Sequence, residues 1–327
     1  MTPAAPVEHP FAQFVRILGK GKRGARPMTR EEAREAMGML LDGKTEDSQL
    51  GAFLMLLRHK EESAEELAGF TEAFRERNDA PAISVDIDWP SYAGKKRHHP
   101  WFLLAAKALA HGGVRILLHG GGLHTAGRIY TEQCLELLGI PDCANWQEVA
   151  QALDEQNLAF IPLGAWSVPL QRMIDLRNIL GLRSPIHSLA RILNPLCARC
   201  GLQSIFHPGY QTVHREASRL LGDTAIVIKG EGGEIEVNPD ATSHLYGTMG
   251  GSDWDEEWSA LSPLRHVKPE RIEAAQLLGV WDGSIEDSYA RLAILSTMAL
   301  ALRGLGKPRE EAFSEAEALW SNRDRSF

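Results

Sequence analysis

The sequence predicts an α/β fold in which a small N-terminal helical domain lies beside a larger α/β domain with a mostly parallel central sheet. Two observations predict this class. Amphipathic helical patterns joined by short connections fill the first 80 residues, which is typical of a compact helical unit. Strand-like apolar runs then alternate with helical stretches, and such alternation favours a parallel sheet. We therefore expect domains at 1–80 and 81–327.

The helical domain carries start signals that can be assigned residue by residue. Thr29 with Glu32, and Ser63 with Glu66, have the spacing of a capping box, in which side chain and backbone at a helix start bond each other. Each pair predicts a helix start, and Ser48 is expected to start the helix between them. The apolar residues expected to face inward are Phe11, Phe14, Val15, Leu18, Ala33, Ala36, Met37, Leu40, Leu41, Leu50, Phe53, Leu54, Leu57, Leu67, Phe70 and Phe74.

Four apolar runs predict strands in the rest of the chain. They cover 114–122, 158–163, 203–208 and 225–230. The first reads VRILLHGGG and runs into a glycine turn, and helical stretches separate the four runs. This alternation predicts the α/β domain.

The bulk composition is that of an ordinary globular protein, with 327 residues, 44% of them hydrophobic and 24% charged. No apolar run is long enough to predict a membrane span. Four cysteines in a chain of this length do not indicate a disulfide framework. We therefore expect a cytoplasmic protein without membrane contact.

Charge is unevenly distributed along the chain. The net charge of −8 argues against nucleic acid, but 19–26 holds four cations and no acid. Between 162 and 221 there are seven arginines and two acids, whereas 230–258 has eight acids and no Lys or Arg. Ion pairing between these two segments is the plain structural explanation. The functional alternative is phosphate binding, since arginine holds phosphate oxygens in a bidentate fork.

Three short motifs have both a structural and a chemical interpretation. The stretch 119–128 has the glycine spacing of a phosphate loop, but Arg128 and Ile129 replace the residues that carry nucleotide chemistry, which favours a structural turn. Cys197 and Cys200 have CxxC spacing without two further ligands, so we expect no metal site there. The acids of KGEGGEIEVNP (229–239) follow a strand, and they predict either a magnesium site or a solvated loop.

Taken in order, four segments resemble the anthranilate phosphoribosyltransferase superfamily, glycosyltransferase family 3. They are the helical pattern TREEAREAM…ELAGFTEAF, VRILLHGGG…LELLGIP, LRNILGLRSPIHSLARILNP and VIKGEGGEIEVNP. The resemblance runs from about 11 to 240. It implies a fold like that of the nucleoside phosphorylases and phosphoribosyltransferases, with helices from about 143–200 joining the helical domain. It also implies a homodimer formed through that domain.

The resemblance is weakest where the family binds its substrate. The family's GTGGD diphosphate turn, its NIST motif and its KHGN motif correspond to 90–94, 100–103 and 118–121 here, and all three are altered. The sequence at 128–133 replaces its SxSGSxD run. Its Asp-Glu magnesium pair becomes Ile235 and Glu236. Arg177 lies where the family has its aromatic-acid-binding arginine, whereas Arg191 replaces a proline of the GPLxNP motif.

These departures resemble a divergent YbiB-type branch of the superfamily. The shared features are the loop Gly19–Arg26, the turn Ser91–Arg97 and the segment His207–Tyr210. Members of that branch look like dimeric nucleic-acid-binding proteins without sequence preference. Tyr92 and Trp101 flank the basic turn and are candidates for stacking on bases.

Two hypotheses follow from the sequence. The first is a homodimeric, cofactor-free protein that binds DNA or RNA through phosphate contacts and lacks anthranilate phosphoribosyltransferase activity. Its candidate contacts are Lys20, Lys22, Arg23, Lys95, Lys96, Arg97, Arg172, Arg177, Arg183 and Arg191. The alternative is a glycosyl or phosphoribosyl transferase of altered substrate, using magnesium and a phosphoribosyl diphosphate-like donor, with His119, Arg177 and Glu236 as candidate catalytic residues.

Overall fold

The computed structural model describes residues 7–122, 125–207, 209–263 and 265–326. Its helices, in chain order, are α1 (Ala12–Gly19), α2 (Arg30–Leu41), α3 (Asp47–Lys60), α4 (Ala64–Arg75), α5 (Phe102–His111), α6 (Leu135–Leu138), α7 (Trp146–Gln156), α8 (Leu163–Trp166), α9 (Val168–Asp175), α10 (Arg177–Leu180), α11 (Ile186–Leu189), α12 (Tyr210–Leu221), α13 (Ala275–Asp282), α14 (Ser288–Gly304) and α15 (Arg309–Ser321). A short 3₁₀ turn, Thr131–Gln133, precedes α6.

The strands form one seven-stranded sheet. They are β1 (Ile87–Ser91), β2 (Ile116–Gly120), β3 (Leu158–Pro162), β4 (Cys200–Ser204), β5 (Ala225–Ile228), β6 (Ser243–Met249) and β7 (Ser252–Trp258). Their order across the sheet is β3-β2-β1-β4-β5-β6-β7. The first five are parallel and β6 and β7 are antiparallel at one edge. This confirms the predicted α/β class with a mostly parallel sheet beside a helical domain.

The helical domain forms as its capping patterns predict, with one shift. Both capping boxes are present, Thr29 with Glu32 at α2 and Ser63 with Glu66 at α4. The helix expected to start at Ser48 instead begins at Asp47, one residue earlier, with Glu46 as its N-cap. The backbone N–H of Glu46 donates to Gln49 Oε1 at 3.1 Å, so the Gln49 side chain satisfies an amide at this helix start.

The core of the helical domain is continuous with later helices. Phe11, Phe53 and Phe70 pack together, with ring centroids 5.3 Å apart for Phe11–Phe53 and 6.3 Å for Phe53–Phe70. The same cluster of buried residues includes Leu170 of α9 and Leu189 of α11. Segments far apart in sequence thus share one apolar core.

Four strands differ from the sequence predictions. The strand expected at 203–208 lies earlier, at β4, and β1 and the β6–β7 hairpin were not predicted. Pro90 lowers the apparent strand character of β1 because proline cannot donate to a ladder, yet it pairs in register with His119. In β7 three acidic residues of SDWDEEW, Asp253, Asp255 and Glu257, are exposed at the sheet edge, so the run lacks the apolar signal of a buried strand.

Candidate functional site

The candidate site lies where the order of the parallel strands reverses. The chain passes from β1 outward through β2 to β3, and later from β4 outward through β5, so β1 and β4 are the central neighbours. In sheets of this kind the crevice beyond the carboxyl ends of such strands is the usual ligand site. The described segments at this point are 92–97 after β1, 121–122 and 125–130 after β2, and 229–236 after β5.

Glu234 fills the turn that follows β1. Its Oε1 accepts hydrogen bonds from the backbone N–H groups of Ala93 at 2.7 Å and Gly94 at 2.6 Å. Gly94 has a φ of 67°, a left-handed conformation that suits glycine, and this turns its amide inward. Two adjacent amides of this kind form an anion-binding turn. Here the anion is a carboxylate of the chain itself.

Glu236 occupies the neighbouring position. One of its oxygens accepts from Lys95 Nζ at 2.7 Å, and the other accepts from the backbone N–H of Phe102, at the start of α5, at 2.9 Å. Lys95 also donates to the Glu231 carbonyl at 3.1 Å. Burial raises the pKa of Glu236 to about 7, although the Lys95 charge and the Phe102 amide oppose that rise.

Two arginines hold these loops together through backbone carbonyls. Arg128 Nη1 donates to the carbonyls of Ala93 at 3.1 Å and Gly94 at 2.8 Å. Arg191 Nη1 donates to Gly233 at 2.9 Å and Ser204 at 3.1 Å. The turn after β1, the loop after β5 and the end of β4 are therefore one hydrogen-bonded unit.

These contacts decide whether the site suits a magnesium diphosphate. The amides that would face a diphosphate already bind Glu234, and both oxygens of Glu236 are bonded. Magnesium needs several oxygen ligands that are free to coordinate it, and of these two carboxylates only the Oε2 atom of Glu234 has no hydrogen-bond partner among the described residues. The Asp of the family's Asp-Glu pair corresponds to the apolar Ile235. The residues present do not fit a magnesium diphosphate. Within the described part of the chain, no three His, Cys, Asp or Glu side chains form a metal-ligating group.

His119 lies at the end of β2 and is fully buried. Its Nδ1 is 2.8 Å from the Tyr92 hydroxyl, and its Nε2 is 3.2 Å from Asp88 Oδ1. The Trp166 ring packs edge-on at 5.6 Å. A candidate catalytic residue with no exposed surface has no direct access to a substrate in this conformation.

Arginines cluster beside the filled turn. Loss of water contact lowers the pKa of Arg183, and the guanidinium groups of Arg191, Arg177 and Arg128 lower it further. Arg177 donates to Thr125 Oγ1 at 3.0 Å, which ties α10 to the loop after β2. Sequence reasoning did not propose Arg128 as part of this cluster; its place directly after the glycine-rich turn was the available signal.

Five of the predicted phosphate contacts are exposed side chains on two connections. Lys20, Lys22 and Arg23 lie between α1 and α2, and Lys96 and Arg97 lie in the turn after β1. Within the described ranges none of the five has a hydrogen bond or an ion pair. We call this set the free cations.

The other predicted contacts are placed differently. Arg172 is exposed but pairs with Asp47 of α3 at 2.6 Å, and Arg177 and Arg183 are half-buried. Lys95 and Arg191 are buried by the contacts described above, so the expectation that they reach a polyanion does not agree with the structure. The physical reason is that both side chains satisfy groups inside the fold.

The structure also limits two other expectations. Tyr92 and Trp101 are each about 1% exposed and cannot stack on bases in this conformation. Among the residues that the structure describes, the acidic segment forms ion pairs with the arginine-rich segment only through Arg215 and Arg219. Both contact Asp253, and Arg215 also contacts Asp255. Leu123 and His124 of the glycine-rich stretch, and Pro208 of the segment 207–210, lie outside the described residues.

Comparison with known proteins places the chain in a family. Residues 14–77 match the glycosyl transferase family helical bundle domain. The Escherichia coli K12 "Uncharacterized protein YbiB" is 30% identical over 235 residues, which are 70% of this chain and 73% of that protein. This chain belongs to the anthranilate phosphoribosyltransferase-like superfamily, glycosyltransferase family 3. That superfamily includes a YbiB branch. An anthranilate phosphoribosyltransferase of Methylocella silvestris is 27% identical over 296 residues, 86% of this chain and 83% of the enzyme.

Solved structures of the superfamily show the same fold. The anthranilate phosphoribosyltransferase of Thermus thermophilus matches with a TM-score of 0.78 at 22% identity, over 94% of each chain. The Saccharomyces cerevisiae enzyme in complex with PRPP and Mg matches with a TM-score of 0.75 at 15% identity, over 96% of this chain and 94% of that one. In the part of the chain described here, no helix combines the length and apolar character needed to cross a membrane.

Proposed function

We propose that this family member is a cytoplasmic nucleic-acid-binding protein without sequence specificity, that it acts as a homodimer formed through the helical domain, and that it lacks anthranilate phosphoribosyltransferase activity. The observation that carries the proposal is the set of free cations. Because these exposed side chains have no acidic partner among the described residues, their charges are available to a negatively charged ligand. An extended phosphate backbone supplies it without any base contact.

The filled turn supports the same proposal. The turn after β1 uses its amides and Lys95 to bind the acids of the chain, so the groups that would hold a small diphosphate are occupied. Lys96 and Arg97 follow directly and point outward. The segment therefore presents charged side chains, rather than backbone amides, to a ligand, and long flexible cations suit phosphates that are spread along a strand. Two copies in a dimer would double the number of such contacts.

The proposal is tested by the salt dependence of binding. Each cation that contacts a single strand contributes about 0.7 to the slope of log K against log salt concentration. For each copy of the chain that contacts the strand, we expect Lys96→Ala with Arg97→Ala to reduce that slope by about 1.4, and the triple replacement of Lys20, Lys22 and Arg23 by alanine to reduce it by about 2. Fluorescence anisotropy with labelled strands of about 20 nucleotides and several sequences, in DNA and RNA, measures this.

The matched control removes paired cations. Arg291→Ala with Lys307→Ala deletes the same charge as the Lys96 and Arg97 double variant, but these two side chains pair with Glu317 and Glu315. This control should bind nucleic acid like the unmodified protein. Binding that does not weaken with salt, or that falls equally in both double variants, contradicts the proposal. Light scattering of the same samples reports whether the protein is a dimer.

A second candidate function, phosphoribosyl or glycosyl transfer with an altered acceptor, is favoured by one observation. Arg177 and Arg183 lie together beside the turn, and the resemblance places Arg177 at an acid-binding position. We expect no release of diphosphate from phosphoribosyl diphosphate with magnesium and anthranilate, because the turn is filled and the metal acids are bonded. Release above the rate of a Glu236→Gln variant, across a panel of nucleobases and aromatic acids, would support transfer instead.

A further inference from the structure

Three polar residues outside the site form a hydrogen-bonded chain at the surface of the α/β domain. His266 Nδ1 lies 2.6 Å from Asp240 Oδ1, and His266 Nε2 lies 3.0 Å from Ser288 Oγ. Asp240 lies in the connection before β6, His266 lies between β7 and α13, and Ser288 is the first residue of α14. The order of contacts, carboxylate to imidazole to hydroxyl, is that of a nucleophilic triad.

The carboxylate decides the direction of each hydrogen bond. Asp240 also accepts from the backbone N–H of His266, at 2.8 Å, and only 8% of its side chain is exposed. Because an ionised carboxylate can only accept, the neutral form of His266 carries its proton on Nδ1 and keeps the lone pair of Nε2. Nε2 therefore accepts from the Ser288 hydroxyl, as a general base does before it takes the proton.

The imidazole is held in place and the nucleophile is accessible. The Tyr289 ring packs edge-on against His266 with centroids 5.5 Å apart, and Tyr289 itself is buried and stacked on His98 at 4.1 Å. Only 23% of the His266 side chain is exposed, whereas Ser288 is an exposed residue. The base is thus fixed from inside the protein and its serine faces solvent.

The position of Ser288 also supplies donors for a developing negative charge. Helix α14 is 17 residues long, and Asp287 is its N-cap. Of the amides in the first turn of the helix, the Asp287 side chain accepts a hydrogen bond only from that of Ala290. Among the described residues, the backbone N–H groups of Ser288 and Tyr289 have no hydrogen-bond partner. Amides at the start of a helix stabilise an oxyanion formed next to them.

We propose that Ser288, His266 and Asp240 form a second site, which transfers the acyl group of small esters onto Ser288 and then to water. Ser288 Oγ attacks the ester carbonyl as its proton passes to His266 Nε2. The C–O bond to the alcohol breaks, and His266 returns the proton to the departing alcohol. Water then repeats the sequence on the acyl-serine, giving the acid and free Ser288. This site is independent of the proposed nucleic-acid binding.

The test uses the full-length protein and a fluorophosphonate probe, which reacts with an activated serine by releasing fluoride. Labelling is located by mass spectrometry, and p-nitrophenyl acetate hydrolysis is measured in parallel. We expect the label on Ser288. The variants Ser288→Ala and His266→Gln should lose labelling by at least about 100-fold, and Asp240→Asn should lose it by a similar factor because it reverses the tautomer of His266.

Ser284→Ala is the matched control, since Ser284 is an exposed serine four residues earlier and no histidine contacts it among the described residues. It should label like the unmodified protein. Circular dichroism and melting of each variant separate a local chemical effect from unfolding. The proposal is overturned if the folded, unmodified protein takes no label under conditions that label a serine esterase, or if Ser288→Ala labels equally.

Discussion

Replacing Lys95 by methionine lowers the free energy of unfolding by about 3 to 5 kcal/mol at pH 8, the usual cost of removing one partner of a buried ion pair. The side chains of Lys95 and Glu236 are 1% and 0% exposed, so water does not replace the lost partner. At pH 8 Glu236 is mainly ionised in the unmodified protein, because its pKa is about 7. The variant must then either keep that buried charge without a partner or take up a proton there, and each costs free energy.

The same substitution should cost clearly less at pH 5. Burial raises the pKa of Glu236 above that of an unfolded glutamate. As the pH falls below about 7, the folded state therefore takes up a proton at Glu236 before the unfolded state does. Removing Lys95 takes away an opposing charge and raises the pKa further. Glu236 is then neutral at pH 5 in the variant, and the penalty for an unpaired charge disappears.

Urea unfolding followed by tryptophan fluorescence at both pH values measures this difference. Lys44→Met is the control, because Lys44 pairs with Asp42 at 2.9 Å on the surface and should cost at most about 1 kcal/mol at either pH. The assignment of a buried pair would be falsified if Lys95→Met lowered the free energy of unfolding no more than Lys44→Met does. The same holds if Lys95→Met lowered it equally at pH 5 and pH 8. Lys95→Met should leave the salt slope of nucleic-acid binding unchanged, unlike the loss of Lys96 and Arg97.

Replacing Gly230 by alanine is expected to cost at least about 3 kcal/mol, the sum of a left-handed backbone and a steric clash. Its φ is 62°, and an added Cβ would lie 2.0 Å from the Glu234 carbonyl oxygen and 2.3 Å from Ser204 Oγ. The loop must move to relieve these contacts. Glu234 moves with it, and the amides of Ala93 and Gly94 lose their acceptor.

Gly222→Ala is the matched control for Gly230→Ala. Gly222 has a similar φ of 75°, but nothing lies within 4 Å of an added Cβ, so only the backbone strain of about 1 to 2 kcal/mol remains. Urea unfolding compares the two variants, and hydrogen exchange of a peptide covering 91–97 reports the state of the turn. We expect faster exchange in Gly230→Ala alone. Equal stability and equal exchange in the two variants would show that the loop adapts without displacing Glu234.

Much of the scaffold could be predicted because its signals are local. The capping boxes at Thr29 and Ser63 involve residues three positions apart, and the apolar periodicity of α2 to α4 spans a few turns. Such patterns bias the chain whatever surrounds it. The β6–β7 hairpin was not predicted, because an edge strand with one solvated face has few apolar residues to mark it in the sequence.

The candidate site could be predicted only in part. The sequence indicated where the turn after β1 lies and that the family motif is missing from it. It also showed the basic segments that contain the free cations. The filling of that turn was not, since Glu234 and Glu236 looked like either magnesium ligands or a solvated loop. The solvated-loop alternative was wrong about their contacts: both carboxylates are buried and bonded to the turn or to the start of α5.

By itself the sequence determined the fold class, the starts of the helices and the presence of three basic segments in an acidic chain. Only the tertiary structure decided which cations face outward. The three consecutive cations Lys95, Lys96 and Arg97 differ in burial. Lys95 is buried because it pairs with Glu236, 141 residues further along the chain, whereas its two neighbours are exposed to solvent. A charged side chain can be buried only where a partner compensates its charge. When that partner is distant in sequence, as Glu236 is, the local sequence pattern does not show which cation will be buried.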